Sequence, residues 1–479
     1  MTFRIPPAAT SRVASTPQTE RAQTPTRPVE SQSASERMKD RMETFKTIKA
    51  PVKQLIGDFS LPQTSGGQRT TEDALSDMDA LLLGPETSTQ ANGATVVRDA
   101  PNVHDPRDTR NPVSLGGLKG KGLDIDLGPF KPKTESRKEA AEAQLEANAA
   151  LEQEHLAKLS PEERAQYEAV KEACLAEGDP VAALSLQKLL FQGKLPGEEA
   201  LVGGGTLLDQ LAAAADPNTP MVEGLDRGAF LCDLVQEIAT PSAINQGSVG
   251  TCAPTTLAID LAMRNPAEYA RIALGLASPE GKVELAGGQT LEREPGTVMD
   301  DGKGRSNVQR LMGSAFMEMA NGDRNYDNAT EEGDGAWSND LDVLYEALWG
   351  RPMSDKRLRT DEERAAAMDI IDTQLEAGRN VPVALSWGDG YHKVLVTGTE
   401  VVDGQEYVTY INPWGREERM PREEFESRLA DINYDPMAQL KRIAESITGK
   451  KSPRETPPPP FSQGTVDADQ LRRLAQLRG

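Results

Sequence analysis

The chain is short of several things, and each shortage excludes something. It has three cysteines in 479 residues, Cys174, Cys232 and Cys252, too few and too scattered for a disulfide framework. That usage suits a reducing compartment, or a protein that never depended on oxidation. Aromatics are 4% and hydrophobic residues 37% against 27% charged, which is poor for a chain folded end to end. Positive charge is in deficit. Lys and Arg number 53 against 75 Asp and Glu, a net charge of −22, so neither nucleic acid nor an anionic membrane is an expected partner. No long apolar run is present, so no transmembrane helix is expected. The opening Met1-Thr2-Phe3-Arg4-Ile5-Pro6-Pro7 lacks the apolar core of a secretory signal. The expectation is a cytoplasmic protein, or one exported without an ordinary signal. Internal repeats and a phosphate-binding loop are also missing.

Organisation changes along the chain. Residues 1–133 are rich in Ser, Thr, Pro, Gln and Arg and read as a disordered arm, with at most short helices near Glu36–Lys49 and Thr71–Leu83. Residues 134–217 are helical in character. Glu135–Leu159 is Ala/Glu/Lys/Leu-rich, and Ser160-Pro161-Glu162-Glu163 reads as a capping box with proline at the first helical position. Asp179-Pro180 starts a helix through Leu190, and Leu207–Ala215 forms another. Residues 225–435 open with helices at Thr251–Arg264, Asn307–Met319, Asn339–Leu348 and Asp361–Ala377, the last two capped by Ser338 and Thr360. Strands follow at Val381–Leu385, Val394–Gly398 and Tyr407–Ile411. The fold class is therefore α+β, a helical lobe followed by an antiparallel sheet. Residues 436–479 hold a short helix at Met437–Ile447, the polyproline stretch 457–460 and a terminal helix at Val466–Leu477. Asp323-Arg324-Asn325-Tyr326-Asp327 resembles the start of a calcium loop but lacks its turn glycine, and reads as a solvated acidic loop.

Three local signatures carry chemistry. The first is Asn245-Gln246-Gly247-Ser248-Val249-Gly250-Thr251-Cys252, a glutamine six positions before a cysteine with glycines between. Pro254 and the helical spacing of Leu257 and Leu261 place Cys252 at a helix N-terminus, where the dipole favours a negative sulfur. The second is Gly390-Tyr391-His392-Lys393-Val394, on a strand. The third is Ile411-Asn412-Pro413-Trp414-Gly415, where a strand ends. The order Gln, Cys, His, Asn meets the needs of thiol acyl transfer. Cys252 attacks a carbonyl, His392 moves the proton, and Asn412 fixes the imidazole. Gln246 and the Cys252 N–H hold the oxyanion, and Trp414 covers the His–Asn bond from water. Gly247 and Gly250 are expected to give the turn its positive φ. No metal or organic cofactor is needed.

The stretch from Thr240-Pro241 through Cys252 resembles the active-site entry of papain-like cysteine peptidases, and Asn412-Pro413-Trp414-Gly415 resembles the form used by the calpain-type branch. The Tyr391-His392-Lys393-Val394 region is also similar to the bacteriocin-processing type, so the branch stays open. The resemblance covers roughly residues 225–435. It implies a papain-like two-lobe fold, with Cys252 as nucleophile, His392 as general base and acid, Asn412 as orienter and Gln246 as oxyanion donor. It also implies a protein or peptide substrate lying in the cleft between the lobes. Residues 134–217 read as a helical spacer or a partner-binding hairpin, and the resemblance allows a prosegment that inhibits its own cleft. Two departures matter. Ala253 stands where the family usually carries an aromatic, and Val249 where the secreted branch has a disulfide cysteine. Deamidation, transglutaminase-like transfer, and a catalytically silent binding or scaffold module all remain alternatives.

Overall fold

The computed structural model describes residues 69–83, 95–99, 133–322, 325–327, 335–388 and 390–440. The helices expected at Glu36–Lys49 and Val466–Leu477, and the proline run, lie outside these residues. The one expected at Met437–Ile447 is described only as far as residue 440. Among the described residues no helix is long and apolar enough to cross a membrane.

Local chemistry sets the helices. Ser160 accepts from the Glu163 N–H at 3.2 Å while Glu163 accepts from the Ser160 N–H at 2.7 Å, and Pro161 opens the helix Pro161–Ala176. Asp179 caps Pro180–Phe191, whose twelve residues are all buried. Thr206 and Asp209 cap Leu207–Ala215 in the same reciprocal way. The run expected as one helix from Glu135 to Leu159 is two, Lys133–Ala147 and Ala149–Leu156. The break falls at Asn148, whose side chain donates to Gln187 at 2.7 Å and accepts from Arg69 at 2.8 Å. Bonds to distant partners override the local helical preference there.

These helices are not a separate module. One hydrophobic core runs from Ala74 and Met78 through Leu184 and Leu208 to Leu257, Phe316 and Leu348. Residues 134–217 therefore belong to the same body as the region expected to be catalytic. Two pieces of residues 1–133 join the described structure, the helix expected at Thr71–Leu83 and a strand that was not expected. Helix Thr71–Leu83 buries Met78, Leu82 and Leu83, about 1.5–3 kcal/mol each, and ties Asp79 to buried Lys188 at 2.7 Å. The second piece is a strand, β1 (Thr95–Asp99).

The sheet comes last in the chain, apart from β1. A small hairpin, β2 (Lys282–Glu284) with β3 (Thr290–Glu292), stands alone in the helical body. The main sheet adds β4 (Ser354–Arg357), β5 (Val381–Trp387), β6 (Gly390–Val402), β7 (Gln405–Asn412), β8 (Arg416–Pro421) and β9 (Leu429–Tyr434). Its order is β1-β8-β7-β6-β5-β9-β4, antiparallel throughout. Leu395 and Ile411 join the helical core from one face, where helix Cys252–Arg264 packs on β6. Val383, Val394 and Tyr410 join a second core with Ile371 and Phe425, from the helices Asp361–Glu376 and Arg422–Arg428. The architecture is α+β, a helical body beside a sheet.

Candidate active site

His392 and Asn412 meet because of strand register. Leu395 pairs with Ile411 across β6 and β7, so the next rung sets Asn412 against Val394. His392 is the same-face neighbour two residues along, a diagonal partner within side-chain reach. His392 Nε2 lies 2.9 Å from Asn412 Oδ1. The orientation of the Asn412 amide is fixed on both sides. Its Nδ2 donates to Glu418 Oε1 at 3.2 Å, and its Oδ1 accepts from the Trp414 N–H at 3.3 Å. With an oxygen facing the ring, His392 Nε2 must be the donor, which leaves the Nδ1 lone pair as the base.

Aromatic rings enclose this pair. Trp414 stacks on His392 with centroids 4.2 Å apart and planes 20° from parallel, as expected of a residue covering the bond. Trp387 adds a tilted contact at 5.3 Å. His392 is only 5% exposed. Burial outweighs the Asn412 bond and lowers its pKa from 6.5 to about 4, so the ring is neutral near pH 7.

The turn before Cys252 docks on the same corner. The Gln246 N–H donates to Pro413 O at 2.8 Å, and Asn245 Nδ2 donates to Trp414 O at 3.0 Å. Gly247 has φ +69°, and a Cβ there would lie 2.3 Å from Lys303 O. Gly250, expected to share that conformation, does not adopt a positive φ. The Gln246 amide is 5% exposed, with Nε2 donating to Val249 O at 2.5 Å and Oε1 buried without a partner. One of its two amide hydrogens is thus committed inside the turn.

Cys252 is the first residue of helix Cys252–Arg264, and Thr251 supplies no side-chain cap. Thr256, one turn on, hydrogen-bonds Cys252 O at 2.8 Å and lies 3.5 Å from Lys393 O, which seats this end of the helix on β6. Cys252 and Ala253 line a cleft of about 720 Å³ between the helical body and the sheet. Its other walls are Gly335–Ser338, Arg357–Arg359, Ala384, Tyr391, Lys393, Ala430 and Asp431. His392 itself lies buried between Tyr391 and Lys393 rather than in the lining. Among the described residues none of 134–217 lines the cleft.

The structure thus unites His392, Asn412 and Trp414, brings the Gln246 backbone to Pro413, and places Cys252 at a helix start in a cleft. Sequence reasoning missed Glu418 and Trp387. Burial alternates along β8, with Glu418 and Met420 inward, but the sequence Arg-Glu-Glu-Arg-Met-Pro carries no hydrophobic alternation that would announce it. Ser338 is not the cap of its helix. It is the first residue of Ser338–Trp349, and Asp340 accepts from the Trp337 N–H instead. Lys393 is buried beside the cleft, held by Asp431 at 2.5 Å and by Asn433. Among the described residues no group of three or more His, Cys, Asp or Glu side chains is arranged to hold a metal. No family model matches this chain, and neither does any curated protein.

Proposed function

We propose that the chain is a papain-like thiol hydrolase that cleaves peptide bonds in protein or peptide substrates. The observation that carries this reading is the His392–Asn412 bond beneath Trp414, with the ring's Nδ1 left as a base. A cleft between a helical body and a sheet, with a cysteine at a helix start in its wall, is what the two-lobe fold requires.

The steps follow from those groups. Substrate lies in the cleft with its carbonyl carbon at Cys252 Sγ. As sulfur attacks, its proton passes to His392 Nδ1. The developing oxyanion takes the Cys252 N–H and the second Nε2 hydrogen of Gln246. Collapse of the tetrahedral species breaks the C–N bond, and His392 returns the proton to the leaving amine. Water, deprotonated by the same imidazole, then hydrolyses the thioester. Burial makes a lone imidazolium unfavourable, so in this mechanism the charge on the ring must be balanced by the Cys252 thiolate.

That same burial favours a second reading, a silent papain-like binding module in which His392 only packs. Incubation of wild type and Cys252→Ala with an unfolded protein substrate separates the two. New N-termini should appear with the wild type and fall roughly 10³-fold or more in the variant. Ammonia release without cleavage redirects the reading to deamidation, and equal cleavage by both proteins sinks it.

A further inference from the structure

Among the described residues the cleft's charge runs against that of the chain. Four charged ones line it: Arg357, Arg359, Lys393 and Asp431. Lys393 and Asp431 pair with each other at 2.5 Å and cancel. Arg357 ends β4, Arg359 follows two residues later, and both are exposed. Between them Leu358 is buried, and its N–H donates to Ala430 O at 2.8 Å, which fixes the backbone that carries both arginines. Among the described residues neither guanidinium forms an ion pair, and Arg359 acts at longer range on the Glu363 carboxylate, although the chain carries a net charge of −22. The nearby Glu363 carboxylate accepts from the Arg359 and Thr360 N–H groups as part of a helix cap.

The apolar walls of the cleft are also unusual. Trp337 is 55% exposed and Tyr391 69%, and both line it. Large exposed aromatics in a concave site are contact surface, not core. The Arg357 guanidinium sits over the Trp337 ring at 5.3 Å, which holds the ring and the charge in one place.

Resting on the hydrolase reading of this cleft, we propose that its substrate is an acidic peptide segment whose Asp or Glu side chains are held by Arg357 and Arg359 while its backbone lies against Trp337 and Tyr391. A positive island on a strongly acidic protein does more than attract. The rest of the surface repels the same segment, so its carboxylates are stabilised only in the cleft, and this sets where the segment docks. Guanidinium groups suit carboxylates because their donors form a fork that matches two oxygens.

The test needs no catalysis. Full-length Cys252→Ala chain is titrated into a fluorescent peptide containing two Glu residues, and into the same peptide with Gln at those places, at low ionic strength. Binding by anisotropy should be about tenfold tighter for the Glu peptide, and the margin should shrink as salt is added. Arg357→Gln with Arg359→Gln should erase the margin. Both side chains are exposed and their backbone bonds are kept, so the fold is not at stake. Equal affinities, no measurable binding of the Glu peptide, or a margin that survives in the double variant would each overturn the proposal. Failure here, with a reactive Cys252, refutes the acidic substrate and leaves the hydrolase standing. An acidic preference with an inert Cys252 refutes the hydrolase alone.

Discussion

Asn412 holds His392 by a 2.9 Å bond whose direction is set from behind, because the Asn412 Nδ2 is already committed to Glu418. This chain of three residues decides which imidazole nitrogen is free. Replacing Asn412 with Ala releases the ring to rotate and to change tautomer. The expected result is a fall in kcat of roughly 10–100-fold with KM nearly unchanged, since Asn412 is fully buried. Asn412→Asp, which keeps the acceptor, should recover part of that loss. Steady-state kinetics on a peptide substrate checks both.

Gly247→Ala should be among the most damaging small substitutions. The backbone there has φ +69°, and the added carbon would lie 2.3 Å from Lys303 O and 2.8 Å from Arg305 Cγ. Neither the carbonyl nor the left-handed φ accommodates it. A loss of about 1–3 kcal/mol is expected, with Cys252 labelling slowed as the turn shifts. Denaturant unfolding measures the first and thiol labelling the second.

What the sequence made legible was local. The Thr206–Asp209 and Ser160–Glu163 capping pairs marked helix starts that the structure keeps. Asn412 and Trp414 lay in one short motif, so their approach to His392 could be argued from two strands. What stayed hidden was non-local. Asn148 breaks a helix for the sake of Gln187 and Arg69. β4 is Ser-Asp-Lys-Arg, an edge strand with no hydrophobic alternation to announce it. Residues 95–99 pair with β8 from more than three hundred positions away, and nothing nearby in sequence signals that pairing. The cleft charge depends on Arg357 and Arg359 reaching the same wall as Cys252, which no spacing rule encodes.

One buried ion pair adds to the apolar docking of helix Thr71–Leu83. Lys188 is 2% exposed and meets Asp79 at 2.7 Å. Asp79→Ala leaves that cation buried without its counter-charge and should cost about 3–5 kcal/mol. Denaturant midpoints compare the two chains, and limited proteolysis should newly cut within Thr71–Leu83 in the variant. An unchanged midpoint would mean that the ion pair contributes nothing to this docking.

The pH dependence of stability should reveal the state of His392. The folded ring titrates at about 4, against about 6.5 in the unfolded chain. Between those values the unfolded chain takes up a proton that the folded one refuses, so stability is lost as pH falls. The loss from this group should reach ~3 kcal/mol near pH 4. A smaller loss in wild type than in Cys252→Ala would show that a thiolate stabilises the charged ring. Unfolding curves at several pH values check the difference.

The central claim is that Cys252 and His392 form a reactive pair, and alkylation of Cys252 by iodoacetamide across pH tests it most directly. The readout is clean. Cys174 and Cys232 are buried, and Cys232 is pushed well up in pKa by its hydrogen bond with Cys174 and then by burial. Cys252 is partly exposed in the cleft, so slow labelling could not be blamed on access. The account predicts fast labelling of wild type at pH 6, well below the ordinary thiol range, and loss of that reactivity in His392→Ala. Slow labelling in both proteins, at the rate of a free cysteine, would contradict it.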